Sequence, residues 1–214
     1  MKILTAILLS ILSFAKVSAT AQYPDKISYN GKEYSLLTNP LEKYFEKNEE
    51  KRPKGGMIST ALWRGYIASF EIIENQLFVK DIKIKIWNEN SDNAQWKSVI
   101  HEVFPEAKQR KIDWFNGILT LPYGEMVNYV HMGYGSTYEN YILIEVEKGK
   151  STRTKDLNFK DYENLKEKQF EAYKKTKEYL QHKKELEKDG GKQKDIDAFL
   201  RSFVTEYTEK LLVE

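Results

Sequence analysis

Between Leu77 and Trp87, apolar and charged residues alternate with a period of two: Lys83 and Lys85 separate Ile82, Ile84 and Ile86. That period belongs to a strand with one face buried and the other in water. The preceding apolar stretch, 61–73, is long enough to be its antiparallel partner. A three-residue loop at 74–76 joins them, with Asn75 in the left-handed conformation. This pair is predicted to be the centre of the fold. Upstream, 26–29 and 32–36 flank Asn30-Gly31, whose two positive-φ positions suit a tight turn pairing Ile27 with Tyr34. Ile27, Tyr29, Tyr34 and Leu36 then share one face. Residues 41–48 follow as a short amphipathic helix, and 49–56 as a charged loop.

After Trp87 the pattern changes. Trp96, Val99, Ile100 and Val103 fall at helical spacing, so a helix capped by Asn93 is predicted up to Val103 or Phe104, before Pro105. A second tight hairpin is predicted from 112–115, Asn116-Gly117 and 118–121, closed by Pro122. Residues 138–147 make the last strand. Ile142, Ile144 and Val146 lie on one face; Tyr141, Leu143, Glu145 and Glu147 lie on the other, where the two glutamates suit a solvated edge. Helical periodicity then covers 161–189 and 194–212, joined at Gly190-Gly191. The second helix carries the stripe Ile196, Phe199, Leu200, Phe203, Tyr207 and Leu211; the first carries a narrow, tyrosine-rich seam.

These elements imply an α+β protein. Its sheet is antiparallel and hairpin-rich, strongly curved or barrel-like, with short helices and a C-terminal helical hairpin packed on it. The division is 1–21 a signal peptide, 22–152 a β-rich domain, and 153–214 the helical hairpin. The leader reads from Lys2, an apolar run from Ile3 to Ala15, and small residues that allow cleavage after Ala19 or Ala21. The run is shorter than the roughly 20 residues a membrane span needs. An exported protein, periplasmic or extracellular, is therefore expected, with no membrane insertion after cleavage.

Charge matters only once the leader is removed. The chain has a formal net charge of +2. Lys2 and Lys16 are the charged residues of the first 21, so the mature protein is neutral. Neutrality gives no long-range attraction to nucleic acid. Without cysteine there is no disulfide and no thiol chemistry.

Chemistry is most suggestive in 121–138, where three glycines and four tyrosines surround His131 between two predicted strands. Glycines let a backbone approach a ligand, tyrosines offer flat surface with a polar tip, and histidine titrates near neutrality. Arg64, in an apolar stretch, must find an acidic or carbonyl partner, with Asp81 or Glu71 the structural choice. The candidate ligand-binding residues are Arg64, Tyr66, Tyr123, Glu125, His131, Tyr134 and Ser136. No metal site and no cofactor are expected. No catalytic residue is assigned, although His131 is the candidate general base. His101-Glu102 lacks the second histidine of a zinc protease, and Gly133–Ser136 is not a nucleophile elbow.

Residues 59–71, and 121–125 with 130–136, resemble parts of an uncharacterised family of bacterial proteins. The likeness covers roughly 23–150 and implies no activity. It implies that the Arg64 segment and the His131 loop belong to one recurring unit. The function expected is a non-catalytic module that binds a small molecule or a protein. The alternatives are a hydrolase using His131, or an inhibitor or immunity-type partner of another exported protein.

Overall fold

The computed structural model describes residues 20–88 and 93–212. The predicted leader lies outside the described residues, except for Thr20 and Ala21. Strand β1 (Asp25–Tyr29) and strand β2 (Lys32–Leu36) form the predicted hairpin, with Ile27 opposite Tyr34. Asn30 and Gly31 turn at φ of 49° and 76°. Strand β3 (Ile67–Ile73) lies parallel to β1 and antiparallel to β4 (Gln76–Asn88). Their connection is tighter than predicted. Glu74 and Asn75 both take positive φ, and Gln76 already pairs with Ile73. A two-residue turn of this hand matches the twist of the strands it joins.

The partner of β4 is also shorter than its apolar run suggested. Gly65 adopts φ of 75°, and Gly65 N donates to Leu62 O, so 61–66 is a turn and not strand. The predicted helix from Asn93 is mostly strand: β5 (Asn93–Ser98) pairs with the end of β4, and helix α1 (Pro40–Phe45) is followed by only a four-residue α2 (Ile100–Val103) in this region. The far end of β4 would otherwise expose an unpaired edge. Val99, Ile100 and Val103 are buried as the helical spacing required, while Trp96 stays on the solvent side opposite Lys85.

The second predicted hairpin is absent. Ile112 N donates to Leu77 O and Lys111 bridges to Phe78, so this segment borders β4. Asn116-Gly117 instead opens strand β6 (Gly117–Asn128), which runs through Pro122. Proline is tolerated there because β6 is the last strand of the sheet. Strand β7 (Thr137–Glu147) pairs with β6 and with β8 (Lys150–Asn158), a strand too polar to signal itself.

The sheet order is β2-β1-β3-β4-β8-β7-β6, with β5 on β4. The sheet is mixed and not closed. It curves enough for Leu37 N to donate to Thr120 O at 2.9 Å, joining the chain just past β2 to β6. Ile142, Ile144 and Val146 enter the main core with Ile27, Phe70, Ile82 and Leu121. Tyr141 and Leu143 face the other way, under Tyr162 and Leu165 of helix α3 (Phe159–Tyr173) and under Leu211.

The tail comprises four helices among the described residues: α3, α4 (Lys177–Lys188), α5 (Gln193–Ser202) and α6 (Val204–Tyr207). The long first helix predicted here breaks at Lys174, and Thr176 caps α4 by accepting from Tyr179 N. Phe170, Tyr173, Tyr179, Ile196, Leu200 and Val204 form the core of this tail. Its final segment also changes the role of Glu145. This glutamate is buried rather than solvated, and it accepts from Leu211 N at 2.8 Å and Thr152 Oγ1 at 3.0 Å. No helix among the described residues is long and apolar enough to cross a membrane.

Candidate functional site

Arg64 is positioned by the turn at 61–66 and by β1. Its Nη2 lies 3.0 Å from Asp25 Oδ1, which also accepts from Ala68 N at 2.9 Å. Asp25 takes the place of the expected Asp81 or Glu71; Asp81 Oδ1 instead accepts from Ile82 N and Ser98 Oγ. Arg64 Nη1 donates to Tyr134 OH at 2.6 Å, and Tyr134 OH donates to Asn39 Oδ1 at 2.9 Å. Tyr66 donates to Glu42 at 2.6 Å, and its ring centroid lies 5.7 Å from the guanidinium carbon of Arg64.

Burial and pairing compete in this cluster. Burial pushes Asp25 up to about 6, although Arg64 draws it down. Burial also acts to lower Arg64, but Asp25 and Tyr134 outweigh it and raise the guanidinium above its ordinary value. Burial pushes the Tyr134 phenol up to about 12. The Arg64 and Asp25 side chains are 1% and 0% exposed, so neither reaches a ligand. They tie β1, the start of α1 and the glycine-tyrosine loop together.

The other candidates separate. His131 is exposed and packs edge-on against Tyr129, with centroids 4.6 Å apart. Ser136 Oγ accepts from Val130 N at 3.1 Å and donates back to Val130 O at 3.4 Å, which closes the loop. Tyr123 donates to Asp156 at 2.7 Å, and that bond holds its phenol up at about 12. Glu125 is exposed, and its N–H donates to Glu139.

Beneath the loop lies a cavity of about 320 Å³. Tyr134, Ser136 and Thr137 form one side; Tyr162, Glu163 and Lys166 of α3 form another; Arg201 and Phe203 complete it. Lys166 is only 8% exposed. Its ammonium sits 2.6 Å from Glu163 Oε1 and 4.9 Å from the Tyr162 ring centroid. Arg201 Nη1 lies 3.4 Å from Glu167 and 4.0 Å from Glu163. Thr137 Oγ1 is buried with no hydrogen-bond partner among the described residues. The cavity therefore offers aromatic walls and two cations sharing Glu163. Two sequence candidates, Tyr134 and Ser136, line it; Arg64, Tyr66, Tyr123, Glu125 and His131 do not.

Lys166, Arg201 and Thr137 escaped the sequence reading. Tyr162, Leu165, Lys166, Gln169, Phe170 and Tyr173 are all buried on α3, so Lys166 occupies the seam rather than the solvated face. A lysine on that seam was the available signal. Among the described residues no three His, Asp or Glu side chains gather as a metal site.

Compared with known protein families, with curated proteins and with solved structures, the chain finds no match. The chemistry of the site has to be read from its own residues.

Proposed function

We propose that this is an exported, non-catalytic binding module, and that the cavity beneath the glycine-tyrosine loop takes a small amphipathic anion. The buried Lys166 ammonium, in a cavity whose lining also includes Thr137, carries this reading. A buried charge is costly unless it is paired and hydrogen-bonded. Glu163 is shared between Lys166 and Arg201, and Arg201 lies closer to Glu167, so Lys166 has part of one carboxylate as its ionic partner and an entering carboxylate or phosphate would supply a second. The surrounding Tyr162 and Phe203 suit an apolar body, and the volume falls at the small end of ordinary ligand sites. Export follows from the leader pattern of residues 1–21.

The test is an NMR titration with phenylacetate and phenyl phosphate, set against benzyl alcohol, on wild type and Lys166→Met. Methionine retains the apolar stem. Losing a charge-assisted bond worth about 1.5–3 kcal/mol weakens anion binding roughly 10-fold or more. Equal affinity for the alcohol and the anions would reject the proposal.

A second reading rests on the loop's rim. Met126, Val127, Tyr129 and Met132 are 41–53% exposed, a cluster that fits a protein partner such as an exported protein held in check. Charged substitutions at Met126 and Tyr129, which do not line the cavity, would weaken such a partner without touching anion binding. The hydrolase alternative gains no support: no hydrogen bond among the described residues orients the His131 ring, and Ser136 is committed to Val130.

A further inference from the structure

A second, larger cleft of about 730 Å³ opens between α1, α3, α4 and α6. Its aromatic wall is Tyr173, His182 and Tyr207. Tyr173 and Tyr207 lie near-parallel with centroids 6.0 Å apart, and His182 leans on Tyr207 at 4.9 Å. The Tyr173 hydroxyl is hydrogen-bonded to His182 Nδ1, which fixes the histidine ring against the wall.

The charge facing this wall is unbalanced. Glu46, Glu178, Glu206 and Glu209 line the cleft, against Lys43 and Lys210. Lys43 donates to Asn116 O and lies 4.0 Å from Glu209, which it partly balances within the cleft, while Lys210 lies 4.0 Å from Glu147 outside it. Among the described residues, Glu46, Glu178 and Glu206 have no cation within 4.0 Å. Glu206 is exposed where it lines the cleft.

We infer that this cleft is a binding site for an organic ammonium ion, held by the Tyr207 face and the Glu206 and Glu178 carboxylates. An ammonium over a tyrosine face is attracted by the ring quadrupole, and flanking carboxylates add charge complementarity. A metal ion would gain nothing from the aromatic wall. A neutral ligand would leave the carboxylates uncompensated. The site is separate from the cavity beneath the glycine-tyrosine loop and does not depend on it.

Choline and its neutral isostere 3,3-dimethylbutan-1-ol are the probes, titrated at constant ionic strength and followed by amide NMR shifts. The expected result is saturable choline binding that shifts amides of 169–182 and 204–210, with the alcohol at least about fivefold weaker. Glu206→Gln and Glu178→Gln should each weaken choline severalfold while leaving the melting temperature near wild type. Tyr207→Leu should weaken choline further, but its contact with Tyr173 makes it the less clean variant. Choline and the alcohol binding alike, choline shifts mapping elsewhere, or no saturable shift at all would each overturn the inference. So would choline affinity unchanged in both glutamine variants.

Discussion

Arg64 and Asp25 meet at 3.0 Å with essentially no water on either side chain, although 39 positions separate them in the chain. The pair is incompletely satisfied: among the described residues, Asp25 Oδ2 and Arg64 Nε are buried without a hydrogen-bond partner. A pair of this kind is weak evidence of net stabilisation. Breaking it by removing one member is nevertheless expensive, because the other is left buried and uncompensated.

The two single replacements should therefore differ. If Arg64 is removed, Asp25 can take a proton; if Asp25 is removed, Arg64 cannot lose one. Asp25→Asn is expected to cost about 3–5 kcal/mol, and Arg64→Met less. The double variant should cost well under the sum of the two. Urea melts of all four proteins check this, and additive losses would show that the pairing is not what couples them.

The same site predicts a pH response. Burial raises Asp25 from 3.8 to about 6 in the folded protein. The folded state then holds the proton more tightly than the unfolded chain, so ionisation opposes folding. The contribution of Asp25 is fully present below about pH 4 and is lost as pH rises through about 6. A carbon-13 titration of the Asp25 carboxyl should show a midpoint near 6. A midpoint at or below 4 would mean that the attraction of Arg64 exceeds the cost of burial.

What could be read from the sequence was mainly what is local. Asn30-Gly31 specifies its own turn and, with it, the register of Ile27 and Tyr34. The two faces of β7 follow from alternation alone. Where a distant strand decides, the local pattern failed. Trp96, Val99, Ile100 and Val103 imitate a helical stripe, but the open edge of β4 recruits 93–98 as strand. Asn116-Gly117 carries the same turn signal as Asn30-Gly31, yet 112–115 is drawn to Leu77 and Phe78 instead of folding back. Arg64 and Tyr134 were both singled out and do meet, but in a sealed cluster rather than an open site. Lys166 was passed over because a lysine among lysines and glutamates gives no sign of which face it occupies until the helix has docked.

The tail should be inseparable from the sheet. Leu211 packs with Ile118, Tyr141 and Leu143, and its N–H satisfies the buried Glu145. Deleting 193–214 would expose that apolar face and leave Glu145 without its backbone donor. A Leu-to-Ala change at a buried site costs about 2–5 kcal/mol, so Leu211→Ala alone should lower the melting temperature measurably. A truncated protein that melts with the full chain would show the tail to be independent.

Two glycines with nearly the same positive φ should respond very differently to alanine. Gly31 and Gly149 have φ of 76° and 73°. A Cβ on Gly31 meets nothing within 4 Å, whereas one on Gly149 lands on the Ile112 carbonyl. Gly149 is also knitted to its surroundings: its N–H donates to Phe115 O at 2.9 Å, and its carbonyl accepts from Leu77 N at 2.8 Å and Gln76 Nε2 at 3.0 Å. Gly31→Ala therefore isolates the cost of a left-handed non-glycine residue, about 1–2 kcal/mol. Gly149→Ala adds a backbone collision at the seam where β4, β8 and the 112–115 segment join, and relieving it means breaking those bonds. We expect a loss of more than about 4 kcal/mol, in the range reserved for severe core disruption. Denaturant melts of the two variants make the comparison. Similar losses for both would mean that the turn at Lys148-Gly149 can move away from Ile112 without penalty, and that the two halves of the sheet are less firmly joined there than the hydrogen bonds imply.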